Sequence, residues 1–280
     1  MIRFVEPGDL AEACALLAGD EWGNKVLSGG TALVLMMKHG LIAPSTLVSI
    51  GRLDGLDGIR HDDSRITIGS RTTHRTVANS PEIRRWLPGL ADACGRVGNT
   101  RIRNVGTIGG NLAEADYAAD PPTVLVGLDA VCHVTGPEGS RDLPVADLAT
   151  GFYTTSLGPG EIITGLSIDI DDQRSDAYEK FVSRSSEDRP CVGVFASARY
   201  DGSVLETLNV VVGAAVPVPR RFDEITVSAV GGTLDDAVRH DVATAISEAI
   251  DPIEDLRGSA WYRRQVTAVL VRRALERVSR

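Results

Sequence analysis

Leu10, Cys14 and Leu17 recur at helical spacing behind Pro7-Gly8-Asp9, so residues 9–18 are expected to form a helix with one apolar face. Lys25-Val26-Leu27 reads as a short strand, residues 32–39 as a helix and Leu47-Val48-Ser49-Ile50 as a buried strand. These make a small α/β lobe over about residues 1–55. Arg65-Ile66-Thr67-Ile68-Gly69 alternates as a strand, and helices are expected at 73–79 and 87–94. Residues 124–128 are apolar, residues 130–134 read as a strand ending at the turn Gly136-Pro137-Glu138-Gly139, and residues 161–170 give another strand. Past the polar stretch Asp169-Ile170-Asp171-Asp172-Gln173 come strands near 177–184, 192–200 and 205–212, with Asp201-Gly202 at a hairpin turn. Helices close the chain at 234–250 and 259–278. The pattern predicts an α+β protein: a two-lobed α/β domain over 1–172 (lobes about 1–55 and 56–172), then a domain of antiparallel sheet plus helices over 173–280.

Composition narrows the picture. The chain has 280 residues, 43% hydrophobic and 24% charged, as in globular proteins with ample core. A net charge of −9 argues against nucleic acid as the main partner, because phosphate backbones select basic surfaces. No apolar run approaches eighteen residues, so no membrane span is expected. The start, Met1-Ile2-Arg3-Phe4, lacks a basic segment followed by a long apolar one, and the chain is expected to be cytoplasmic. Cys14, Cys94, Cys132 and Cys191 are isolated in sequence. They read as buried apolar thiols, so any metal centre would belong to other chains.

Two glycine-rich turns, about eighty residues apart, carry the candidate chemistry: Ser28-Gly29-Gly30-Thr31 and Thr107-Ile108-Gly109-Gly110-Asn111. Adjacent glycines let a backbone approach a ligand closely, and such a turn can present several main-chain N–H groups to phosphate oxygens. Two of them could grip a diphosphate from both sides, which suggests a dinucleotide. The Gly-x-Gly-x-x-Gly and Gly-x-x-x-x-Gly-Lys-Ser/Thr fingerprints are absent where they would be needed.

The motifs run in a definite order along nearly the whole chain. After Ser28-Gly29-Gly30-Thr31 come Ile68-Gly69 through Thr72-Thr73-His74, then Arg103-Asn104-Val105-Gly106 leading into the second turn, then Ala115-Asp116-Tyr117-Ala118-Ala119-Asp120. Gly160-Glu161-Ile162-Ile163, Tyr178-Glu179-Lys180-Phe181 and Asp255-Leu256-Arg257-Gly258-Ser259 follow. This succession resembles the FAD-binding medium subunit of the molybdenum hydroxylases, the carbon monoxide dehydrogenase and xanthine dehydrogenase family.

The resemblance implies a PCMH-type FAD-binding domain and a C-terminal flavoprotein domain. It implies that Val26, Leu27, Ser28, Gly29, Gly30, Thr31, Ala32 and Leu33 form the first diphosphate loop. Thr107, Ile108, Gly109, Gly110 and Asn111 would form the second. Asp120 stands where the family places a carboxylate beside FAD. Ile163 and Lys180 match positions that touch the flavin by packing and by charge, and Val97 matches an apolar position near the cofactor. No side chain of this chain is expected to be catalytic or to bind metal.

The resemblance also implies a large molybdenum-binding subunit and a small subunit with two iron–sulfur clusters as partners, in a dimer of heterotrimers. Electrons would run from the molybdopterin centre through the clusters to FAD and on to an external acceptor. Ser185-Ser186-Glu187-Asp188 departs from the basic pattern expected of a loop near the flavin, and Tyr117 stands where relatives often have proline. His74 is expected to be a structural packing residue, with a helix cap or support of the site as the alternatives and no role as a base, and Arg101 and Arg103 either meet acidic groups of a partner or simply face solvent.

Residue by residue, plainer readings stay open. The turns also read as structural turns, Asp120 as a helix cap before Pro121-Pro122, Val97 as a core valine and Lys180 as a solvated lysine. For the whole chain, a self-sufficient FAD oxidoreductase acting on a small molecule and a non-catalytic nucleotide-binding assembly protein are the alternatives.

Overall fold

The structure, a computed structural model, describes residues 2–21 and 23–279. The first lobe runs β1 (Arg3–Val5), α1 (Leu10–Ala18), β2 (Asn24–Leu27), α2 (Leu33–Lys38) and β3 (Thr46–Ser49). Its three strands are parallel in the order β1-β3-β2. A reciprocal cap starts α1: Asp9 accepts the Glu12 N–H at 2.8 Å, and the Glu12 carboxylate accepts the Gly8 N–H at 2.7 Å. Ala13, Cys14 and Leu17 then pack on Val48 and Ile50. In contrast, α2 reads Leu-Val-Leu-Met-Met-Lys yet buries none of its residues.

The second lobe opens with β4 (Ile59–His61) and β5 (Arg65–Gly69) and continues through a run of short helices. These are α3 (His74–Asn79), α4 (Pro81–Trp86), α5 (Pro88–Gly95), α6 (Thr100–Val105), α7 (Ile108–Glu114) and α8 (Asp120–Gly127). Then come β6 (Val131–Gly136), β7 (Gly139–Pro144), a small hairpin of β8 (Ala149–Gly151) and β9 (Thr154–Thr155), and β10 (Ile162–Asp169). The sheet is antiparallel, ordered β4-β5-β10-β6-β7.

Local capping explains two departures from the sequence reading. Asn99 accepts the Ile102 N–H at 3.1 Å and starts α6 where no helix was expected. Thr107 accepts the Gly110 N–H at 3.2 Å, so the second glycine-rich turn is the first turn of α7 rather than a free-standing loop.

The remaining elements are β11 (Arg174–Phe181), β12 (Val192–Asp201), β13 (Val204–Gly213), β14 (Arg220–Arg221), α9 (Asp223–Thr226), α10 (Asp236–Ala249) and α11 (Ala260–Val278). The strands form an antiparallel sheet in chain order. Successive strand residues point to opposite faces, and both faces are covered. Phe195 and Val211 join the core of the second lobe, whereas Val194, Ala196, Val210 and Val212 join the core with Leu270, Val271 and Leu275 of α11. That two-sided burial is why Val192-Gly193-Val194 and Val210-Val211-Val212 are apolar without alternation. It also ties this sheet to α8, where a Cβ on Gly127 would collide with the Phe195 ring.

Candidate functional site

The fold brings the two glycine-rich turns together. Ser28 Oγ lies 3.2 Å from Thr107 Oγ1. A Cβ on Gly29 would collide with the carbonyl oxygen of Val105, so the first turn rests directly on the end of α6. Gly30 has φ +70°, a conformation that side chains other than glycine rarely adopt.

The two turns differ in what their donors do. Among the described residues none accepts a hydrogen bond from the backbone N–H groups of Gly29, Gly30, Thr31, Ala32 or Leu33. These five donors lead into α2, whose positive dipole end adds to their pull on an anion. At the second turn the donors are already used. Ile108 N–H goes to the Thr72 carbonyl at 3.0 Å, Gly109 N–H to the Ser70 carbonyl at 2.9 Å, and Asn111 N–H to the Thr107 carbonyl at 2.9 Å. Gly109 is glycine for packing, since its Cβ would stand 2.5 Å from Ser70 Cβ. The expectation that both turns offer main-chain donors therefore needs correction: only the first does. The second turn offers the exposed, side-chain-free face of Gly110 and the buried Asn111 Oδ1, which has no partner among the described residues.

Ser70 links the second turn to β10. Its carbonyl accepts from Gly109 and its N–H donates to the Thr164 carbonyl at 3.0 Å, next to Ile163. Ile163 itself is buried in the core of the second lobe. Val97 lies between α5 and α6, where Arg103 donates to the carbonyls of Val97 (3.0 Å) and Gly98 (2.6 Å).

The neighbouring Arg96 carbonyl accepts from Lys180 Nζ at 2.9 Å, and Lys180 also reaches Asp120 Oδ2 at 3.0 Å. Tyr178 O–H donates to Asp120 Oδ1 at 2.8 Å. The Lys180 and Asp120 side chains are only 3% and 5% exposed, so Lys180 is a buried partner of Asp120 and not a solvated lysine. Burial raises the Asp120 carboxyl to about 6, against the pull of Lys180 and the Tyr178 hydroxyl. Any field that Lys180 exerts on a ligand is offset by its counter-ion.

His74 heads α3 beneath the turns, donating its N–H to the Gly106 carbonyl at 3.0 Å. Burial, with Arg103 nearby, lowers its imidazole to about 4, so it is neutral at pH 7 and serves as packing. Tyr117 links two distant motifs: its hydroxyl donates to Asp255 Oδ2 at 2.5 Å and accepts from Arg257 at 2.8 Å. Arg189 pairs with Asp116 at 2.7 Å, which holds the 183–189 segment against the same loop. Sequence reasoning quoted Tyr178 in one motif and spanned Ser70 in another without giving either a role. Ser70 acts through its backbone, which its residue type does not announce, whereas Tyr178 stands two residues from Lys180 and therefore on the same face of β11.

The described residues contain no cluster of three His, Cys, Asp or Glu able to hold a metal ion, and all four cysteines are free and buried. No helix among them is long and apolar enough to cross a membrane. A dinucleotide suits the groove between the turns. The unmatched N–H groups of 29–33 call for an anion, the exposed Gly110 presents no side chain, and the orphaned Asn111 Oδ1 calls for a hydroxyl or N–H donor.

Comparison with known proteins agrees with this chemistry. Residues 1–168 match the FAD binding domain in molybdopterin dehydrogenase, and residues 176–278 match the CO dehydrogenase flavoprotein C-terminal domain. The chain is 30% identical over 276 residues to the glyceraldehyde dehydrogenase medium chain of Sulfolobus acidocaldarius, covering 99% of this chain and 98% of that one. It is 33% identical to the carbon monoxide dehydrogenase medium chain of Afipia carboxidovorans over 276 residues, covering 98% and 95%. Among solved structures it superposes with TM-score 0.95 on a chain of the Hydrogenophaga pseudoflava carbon monoxide dehydrogenase that lacks the Mo-pyranopterin moiety. That match has 29% identity and covers 99% of this chain and 96% of that one.

Proposed function

Because the chain belongs to the family of FAD-binding subunits of the molybdenum hydroxylases, we propose that it is the flavin relay of a three-subunit oxidoreductase. Its partners in this reading are a large molybdenum-binding subunit and a small subunit with two iron–sulfur clusters, paired as a dimer of heterotrimers in the cytoplasm. FAD, when held by this chain, would supply the redox chemistry of a relay between the clusters and an external acceptor. Residues 1–172 are assigned to FAD binding and residues 173–280 to the C-terminal flavoprotein domain.

The chain's own residues bind and orient. The N–H groups of 29–33 hold the diphosphate, with Val26, Leu27 and Ser28 setting the approach of the turn. Thr107, Ile108 and Gly109 fix the opposite wall, Gly110 admits the diphosphate, and Asn111 accepts from a ligand hydroxyl. Val97 and Ile163 provide apolar contact. Asp120 and Lys180 form a locked pair at the edge of the site, steadied by Tyr178.

The observation that carries this reading is the run of five unmatched N–H groups on a turn that touches the turn bearing the orphaned Asn111 Oδ1. The need for partners is supported by α2, whose Leu35 is 52% exposed, and by Leu41, 72% exposed beyond it. Native purification with measurement of the visible spectrum, flavin and metals tests the reading. FAD, iron and molybdenum together with one larger and one smaller chain are expected. FAD in a stable single chain that turns over a small donor alone would replace it with a self-sufficient flavoenzyme.

A further inference from the structure

A cavity of about 570 Å³ opens between α3, α4, α5 and α6. Its lining includes Arg75, Arg84, Arg96 and Arg103, against the single carboxylate of Asp92. Such a concentration of positive charge is unexpected on a chain of net charge −9.

The guanidinium groups are also held in place. Arg75 donates to Asn104 Oδ1 at 3.0 Å, and Arg84 donates to the Ala78 carbonyl at 2.8 Å and to Asn79 Oδ1 at 3.0 Å. Arg103 is held by the carbonyls of Val97 and Gly98. All of these acceptors are uncharged, so the arginines are oriented without being neutralised. Among the described residues only Arg96 of the four forms an ion pair, with Asp92 at 3.0 Å. Planar guanidinium forks on fixed stems match phosphate oxygens two at a time. The cavity floor includes Ala78, Ala91 and Gly95, small enough for a flat ring to lie against, and the volume falls in the range of small-molecule sites.

We propose that this cavity is a second ligand site, separate from the FAD groove, that binds a nucleoside diphosphate through Arg75, Arg84 and Arg103. The Arg96 side chain lines the cavity while its carbonyl holds Lys180, so an occupant there sits one residue from the Asp120–Lys180 pair.

Calorimetric titration of ADP into the FAD-saturated protein, isolated with whatever chains accompany it, tests the assignment, with adenosine as the uncharged control. One ADP per chain is expected beyond the bound FAD, with affinity falling as salt rises and no binding of adenosine. The Arg75→Gln/Arg84→Gln double variant should bind ADP at least tenfold more weakly while its FAD content and melting temperature stay unchanged. The proposal is overturned if ADP gives no binding, binds only by displacing FAD, or binds the double variant equally well. It is overturned too if ADP binds the separated chain but not the assembled complex, since the cavity would then be a seat for a partner's carboxylates.

Discussion

The two glycine-rich turns look alike in sequence and touch in space, yet they spend their backbone donors in opposite ways. At residues 29–33 five successive N–H groups have no acceptor among the described residues, while at 108–111 every N–H is already bonded within the chain. Gly29 and Gly109 are glycines because neighbouring backbone or side-chain atoms leave no room for a Cβ. Gly30 is a glycine for its φ of +70°, and Gly110 is exposed although a Cβ there would stand 2.8 Å from Thr107 Oγ1. Each pair therefore owes a glycine to packing, and hydrogen-bond accounting shows which of the two turns keeps its donors free.

The largest effect should come from Gly110→Asp, which sets a carboxylate against the diphosphate. We expect loss of FAD, read by flavin absorbance, in a variant whose circular dichroism is unchanged. Stoichiometric FAD in that folded variant would remove the second turn from the site. The matched pair Gly29→Ala and Gly109→Ala sharpens the contrast. Gly109→Ala should lower stability by about 1–3 kcal/mol through overpacking on Ser70, seen as a fall of several degrees in the melting temperature. Gly29→Ala moves the donor turn off α6 and should cost FAD affinity more than stability. Equal losses of both kinds in both variants would erase the distinction.

A pH series probes the wall beyond the turns. Asp120 keeps its proton up to about pH 6 when folded, against 3.8 as an ordinary carboxyl. The folded chain thus binds the extra proton between these values, and the associated stability is present in acid and lost as pH rises through 6. His74 runs the other way: its pKa of about 4, against 6.5, makes stability rise with pH across that interval. Asp120→Asn should therefore make the melting temperature climb more steeply from pH 4 to 6, and His74→Gln should flatten or reverse the climb. The smallest effect is expected from Asn111→Ala. It removes one acceptor and should weaken FAD by roughly tenfold, about 1.4 kcal/mol, with little change in the melting temperature of the FAD-free chain.

Much of the fold was legible because helix starts and strand alternation are local. Asp9, Thr73, Asp235 and Ser259 each cap a helix that begins within a residue or two of its expected place. The helix at 100–105 was missed because its cap, Asn99, stands before Thr-Arg-Ile-Arg-Asn, which carries too few apolar positions to show a period. The candidate site was legible as a set of residues but not as a set of roles. Whether an N–H is free depends on partners far away in sequence, such as Ser70 and Thr72 for the second turn. The pairing of Lys180 with Asp120 likewise spans sixty residues and leaves no local trace. Tyr117 could be seen to differ from its relatives, but its bond to Asp255 belongs to tertiary structure alone.

Amide hydrogen exchange of the chain with and without FAD tests the central claim most directly. The account predicts that residues 29–33 exchange fast without FAD and become strongly protected with it, while residues 108–111 are protected in both states. Stoichiometric FAD binding that leaves 29–33 exchanging as before, or that brings new protection only at 108–111, would contradict it.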